Sequence, residues 1–250
     1  MKKLVFVLSM VLAAALLTGC VMVNYTPGQG RGLTGKGASE IYTFQVGEFR
    51  EINLDIFCEA HYYAKQSDVI TLEIPPNLRE YVSVEESDDT ITVRSTKNIN
   101  WSKNAPVLTI STPELSGLNM NSLGDFIAHD PIRGDSFTIK MNGAGIVKAE
   151  LDVENLFVIL SGFGELILSG RADSANIDME GVGSIDALFL QTRESSINQN
   201  GAGDITISCS EKLDVNANGM GSVEYRGSPT LNLNKNGLVS VKKVDSSQAR

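Results

Sequence analysis

With 250 residues, 42% of them hydrophobic, the chain is long enough to bury a sizeable core and too apolar to be a disordered polymer. Its 21 basic and 30 acidic residues give a formal net charge of −9, which excludes the basic footprint that nucleic acid requires. The 23 glycines would suggest low complexity if they were scattered, but they are periodic, and that argues for turns.

Residues 1–19 read as an export signal: Lys2 and Lys3, an apolar run from Leu4 to Leu17, then Leu17-Thr18-Gly19-Cys20. The run is too short to span a bilayer comfortably. The cysteine directly after Gly19 makes the segment resemble the lipobox of a bacterial lipoprotein, which is cleaved before a cysteine that carries lipid on its sulfur. Cys20 is therefore the expected lipid attachment site, and two acyl chains are enough for stable anchoring where one is marginal. Cleavage removes Lys2 and Lys3 and no acid, leaving 19 basic against 30 acidic residues, a net charge of −11. So acidic a surface disfavours anionic lipid, and membrane contact is expected through Cys20 alone.

Residues 20–39 are glycine-rich and aperiodic, and read as a tether. Gly30-Arg31-Gly32-Leu33-Thr34-Gly35 satisfies a dinucleotide-binding pattern, but a cleaved signal precedes it where a strand is required, and a strand comes after it where a helix is required. Gly37 stands where a phosphate-binding loop needs Ser or Thr, so this too is a coincidence of composition. No cofactor is expected.

From Glu40 alternating strands begin. Ile41 to Phe49, Arg50 to Ala60, Val69 to Ile74, Tyr81 to Val84, Thr90 to Arg94 and Val107 to Ile110 are separated by turn-rich stretches. The region 40–112 is read as an irregular all-β part that covers one end of the more regular C-terminal half, because an open end would expose unpaired strand edges. Cys58 shares a strand face with Ile52, Leu54 and Ile56, and Cys209 shares one with Ile205 and Ile207. Both read as buried, unpaired thiols.

Residues 113–244 hold a phrase repeated seven times: Asn121-Ser122-Leu123-Gly124, Asn142-Gly143-Ala144-Gly145, Ser161-Gly162-Phe163-Gly164, Glu180-Gly181-Val182-Gly183, Asn200-Gly201-Ala202-Gly203, Asn218-Gly219-Met220-Gly221 and Asn236-Gly237-Leu238-Val239. The last residues of successive phrases lie 21, 19, 19, 20, 18 and 18 apart, the spacing of a solenoid with one coil per repeat. Three apolar columns are expected to face the core. One comprises Leu123, Ala144, Phe163, Val182, Ala202, Met220 and Leu238. The second is Phe126, Val147, Leu166, Ile185, Ile205, Val223 and Val241. The third is Leu118, Ile139, Val158, Ile177, Ile197, Val215 and Leu233. The asparagines that open five phrases should stack into a hydrogen-bonded ladder. A lone coil buries too few side chains to offset its ordering entropy, so the coils must support one another. Lys235, Lys242, Lys243 and a polar tail, 245–250, suit the far end, where they discourage edge-to-edge aggregation. The fold expected is an all-β, single-stranded parallel β-helix.

The Gly-x-Gly-Asp/Ser/Glu phrases, Gly183-Ser184-Ile185-Asp186-Ala187, Tyr225-Arg226-Gly227-Ser228-Pro229 and the strands from Ile41 to Ile110 together resemble the putative auto-transporter adhesin head GIN domain, a family of bacterial envelope proteins. The resemblance covers about residues 40–240 and implies a right-handed β-helix, often carried on a lipoprotein, with no catalytic residues to transfer. Ser122-Leu123-Gly124 and Gly237-Leu238-Val239 each lack one glycine of the pattern.

No catalytic or metal constellation stands out. His61 and His129 lie far apart without ligand spacing and read as separate surface or packing residues. No Gly-x-Ser-x-Gly joins a strand to a helix. Asp125, Glu165 and Asp204 recur on the outer face, interrupted by Ile146 and Ser184, and read as solvated turn acids in preference to a calcium site. Two functional readings remain: a non-enzymatic envelope lipoprotein that presents a rigid surface to an envelope protein or glycan, and a polysaccharide-active β-helix enzyme. Trp101 as the lone tryptophan, 6% aromatics and the negative balance favour the first.

Overall fold

A computed structural model describes residues 32–101 and 105–244. The export signal, Cys20, the first part of the tether and the polar tail lie outside the described residues. Four long strand runs, Ala144–Leu160, Phe163–Met179, Val182–Gln199 and Ala202–Ala217, each form nearly one whole coil. Each pairs in parallel with the next, and the phrases fall in register: Gly145 lies on Gly164, then Gly183, Gly203 and Gly221. The result is the expected β-helix, of about seven turns.

Two of the three columns face inward as expected. Leu118, Ile139, Val158, Ile177, Ile197 and Val215 are fully buried one above another, as are Phe126, Val147, Leu166, Ile185, Ile205 and Val223. Alternation puts every second side chain inside, and each side chain there touches its counterparts on the coils above and below. Leu233 departs from its column: nearly half of it is exposed, because no further coil lies above the strand Thr230–Lys235 among the described residues.

The first column is a correction. Leu123, Phe163, Val182, Met220 and Leu238 line up as expected, but along the outside of the coil. The reason is parity. Met141, Gly143, Gly145 and Val147 occupy the inward positions across the corner, so Asn142, Ala144 and Ile146 point outward. Ala144 and Val147 are three residues apart, and regular alternation cannot turn both inward. The glycines sit where coils touch: a Cβ on Gly143 would lie 1.8 Å from the Ser122 carbonyl oxygen, and one on Gly145 would lie 1.7 Å from that of Gly124. Gly145 also has φ +147°, outside what residues with a Cβ ordinarily adopt.

The N-terminal region covers one end, and it also extends the stack. Glu51–Asp55 and Cys58–Tyr63 pair in parallel beneath Gly117–Met120 and Gly124–Ala128. Thr90–Ser95 and Val107–Ser111 pair in parallel beneath those. Two further coils thus precede the repeats in space, stacked in the reverse of their chain order. Ile91 and Ile52 prolong the column that continues with Leu118 and Ile139. Only then does the pairing turn antiparallel. Val69–Ile74 joins Val107–Ser111, Glu40–Gln45 joins Val69–Ile74, and Val82–Ser87 joins Thr90–Ser95. Tyr81, expected at a strand start, instead closes a short 3-10 turn over Pro76–Tyr81.

Candidate functional site

The phrase corner carries three parallel stripes of outward side chains, set by residues i, i+2 and i+4 of each coil. In the middle runs the apolar ridge. Leu123 is 57% exposed, Phe163 66%, Val182 47%, Met220 56% and Leu238 81%, with Ala144 and Ala202 half-buried between them. Backbone pairing stacks them one per rung, so six steps of roughly 4.8 Å make a ridge about 29 Å long. Nothing in the corner geometry requires apolar chemistry at an outward position. Seven such residues in line form the kind of contiguous patch that marks an interaction surface.

Amides flank the ridge on one side. Asn142 Nδ2 donates to Asn121 Oδ1 at 2.9 Å, and Asn121 Nδ2 donates to Asp55 Oδ1 at 2.7 Å. Asn218 donates to Asn200 at 3.0 Å and Asn236 to Asn218 at 3.3 Å. The expected ladder is therefore present in two pieces, separated where the Ser161 hydroxyl donates to Glu180 at 3.3 Å. A second ladder, unforeseen, links Asp178, Asn198, Asn216 and Asn234. These bonds hold the amide oxygens in fixed orientation along the rod.

The acid stripe flanks the ridge on its other side. Asp125 Oδ1 accepts the Ile146 backbone N–H at 2.8 Å, and Asp204 Oδ1 accepts the Ser222 hydroxyl at 2.6 Å, as turn acids do. Among the described residues no three His, Cys, Asp or Glu side chains converge as metal ligands.

The histidines are not separate, which corrects the reading from spacing. Stacking the coil of Cys58–Tyr63 beneath that of Gly124–Ala128 brings His61 Nδ1 to 2.8 Å from His129 Nε2. His129 also stacks on Tyr63, with ring centroids 4.7 Å apart, and His61 Nε2 lies 3.1 Å from Glu59. The pair spans 68 residues of chain and no periodic signal links its members. Cys58 and Cys209 are buried and unpaired. Burial, assisted by the nearby Asp125 carboxylate, pushes the Cys58 thiol up to about 12.

Stacked parallel coils in register define the class: a β-solenoid, here with an apolar ridge along one corner. The chain belongs to the family described as "Putative auto-transporter adhesin, head GIN domain", whose model matches residues 48–229. A putative adhesin from Bacteroides fragilis is 27% identical, with a TM-score of 0.79 over 85% of this chain and 100% of that one. A putative lipid binding protein from Parabacteroides distasonis (21% identity, TM-score 0.65, 85% and 99% covered) shares the fold. So does a putative adhesin from Parabacteroides merdae (20% identity, TM-score 0.64, 85% and 99% covered). No curated protein matches the chain.

Proposed function

We propose that this chain is a non-enzymatic bacterial envelope lipoprotein, anchored by lipid on Cys20, whose β-helix presents the Leu123–Leu238 ridge to an envelope protein. The observation that carries the reading is the ridge itself, an outward column that is apolar in all seven coils. Covering a half-exposed apolar side chain contributes on the order of 1 kcal/mol, so a partner that spans several rungs gains enough to bind. The amide and acid stripes add directional contacts on either side, and the acids favour a partner with a basic rim. Membership in an adhesin-like family and the lipobox-like Leu17-Thr18-Gly19-Cys20 support the same reading.

A polysaccharide-active enzyme would need an acid and a base poised over a sugar. Two carboxylates of the lateral surface are held in ion pairs by the arginines beside them: Asp152 binds Arg171 at 2.9 Å and Glu211 binds Arg193 at 2.9 Å. The Arg193 guanidinium holds the Glu211 carboxyl below its ordinary range, the opposite of what a general acid needs.

Two experiments test the proposal. Cys20→Ser should move the protein out of the membrane fraction, and membrane retention of a processed Cys20→Ser protein would refute lipid anchoring. Envelope proteins retained by the wild-type chain should be lost from Phe163→Ser/Met220→Ser/Leu238→Ser. Retention by the triple variant equal to wild type would remove the ridge from the binding surface. Binding of the ridge to protein-free vesicles would make lipid the partner instead.

A further inference from the structure

On a different face of the rod, a change in coil length opens a notch. The coil of Val182–Gln199 is longer than the next, so register jumps from Ala187 to Gln191 and residues 188–190 form a bulge without partners on that next coil. Above them Ser208 lies directly beneath Arg226. The cavity measures about 520 Å³, within the range of small-molecule sites. Three arginines line it: Arg171, Arg193 and Arg226. Arg171 turns its Nε and Nη2 to Asp152 Oδ1, at 3.2 and 2.9 Å. Arg193 turns the same edge to the two oxygens of Glu211, at 2.9 and 3.1 Å. Arg226 does not match them. Its Nη1 reaches the Leu188 carbonyl at 3.4 Å, while Nε and Nη2 are buried with no hydrogen-bond partner.

A buried guanidinium edge without an acceptor costs free energy until something fills it, and a carboxylate fills such an edge with two parallel bonds. Arg193 shows that pairing with Glu211, and Arg171 turns the same edge to a single oxygen of Asp152. Phe189, exposed on the bulge, sets its ring centroid 5.8 Å from the Arg226 guanidinium carbon. Exposed side chains exchange rotamers readily, which lets Phe189 move aside and offer its face to a ligand. The hydroxyls of the lining have already used their protons. Ser208 donates to the Leu188 carbonyl at 2.6 Å, and Ser210 donates to that of Thr192 at 3.2 Å. Their oxygens remain as acceptors, suited to a ligand rich in O–H donors.

We propose that this notch binds a hexuronic acid unit of an anionic glycan: carboxylate on Arg226 Nε and Nη2, sugar face on Phe189, sugar hydroxyls on Ser208 and Ser210. The site is independent of the apolar ridge, and no bond in the ligand is broken.

The test is titration of the full chain with digalacturonate, monitored by calorimetry and by the NMR resonance of the Arg226 Nε–H. Saturable binding to one site is expected, with that resonance moving and with cellobiose, which lacks the carboxylate, at least tenfold weaker. Arg226→Gln should lose tenfold or more in affinity without a lower unfolding temperature, since it removes a buried guanidinium edge that has no acceptor. No binding, an Arg226 resonance that stays put, or equal affinity for cellobiose would overturn the proposal. So would equal or tighter binding of inorganic phosphate or benzoate, which would make the notch a plain anion or aromatic-acid site. The resonance is read on unmodified protein, so the outcome stands even if the variant fails to fold.

Discussion

Val182 and Ile185 lie three residues apart, belong to columns that are apolar in every repeat, and face opposite ways. Ile185 is fully enclosed among its stacked counterparts, whereas Val182 stands on the ridge with nearly half of its surface in solvent. The inner column explains why the coils stay together. The outer one adds less to that cohesion, because about half of its surface stays in solvent. Apolar character by itself does not report burial; position within the alternation does.

The largest expected contrast comes from thiol labelling. In a lipid-free full chain (Cys20→Ser), Val182→Cys should react with an alkylating reagent at pH 8 about a thousandfold or more faster than Ile185→Cys, whose labelling waits for unfolding. The background is quiet, since Cys58 and Cys209 are buried and the Cys58 thiol is pushed up to about 12. Equal rates would erase the distinction between the two columns.

Truncation gives the next contrast. Leu166→Ala, deep in the stack, should cost about 2–5 kcal/mol in denaturant unfolding, through lost burial and a residual cavity. Phe163→Ala, three residues earlier on the ridge, should stay within about 0.5 kcal/mol of wild type. A large loss for Phe163→Ala would mean that the ridge holds the fold together.

The smallest effect sharpens the role of the amide stripe. Asn218 accepts from Asn236 and donates to Asn200, so Asn218→Ala should cost about 1 kcal/mol in the same measurement. Asn142→Ala should cost less, because that ladder piece ends at Asn142. The ranking, read from unfolding midpoints, tells whether the ladder acts as a connected unit.

Much of this was legible in the residues. The phrase intervals fixed one coil per repeat, and the columns through Leu166 and Ile177 named the core. The Asn ladder came from identical residues at identical places. The ridge faces outward although it is apolar in every repeat, because Met141, Gly143, Gly145 and Val147 form an unbroken inward series and parity outranks chemistry. The His61–His129 pair and the Arg226 notch left no comparable trace. Spacing along the chain does not say which distant coil a residue will meet.

The chain by itself determined the period, the inward columns and the corner glycines, because each depends on contacts repeated at one fixed separation. Tertiary structure alone decided the reversed stacking of the two N-terminal coils, where Asn119 donates to Asn53 across 66 residues. It also decided the notch, where coils of unequal length leave the Nε–Nη2 edge of Arg226 unfilled. Parallel coils pair by backbone hydrogen bonds that any sequence can make. Which coil lies on which is therefore settled only when the whole stack has closed.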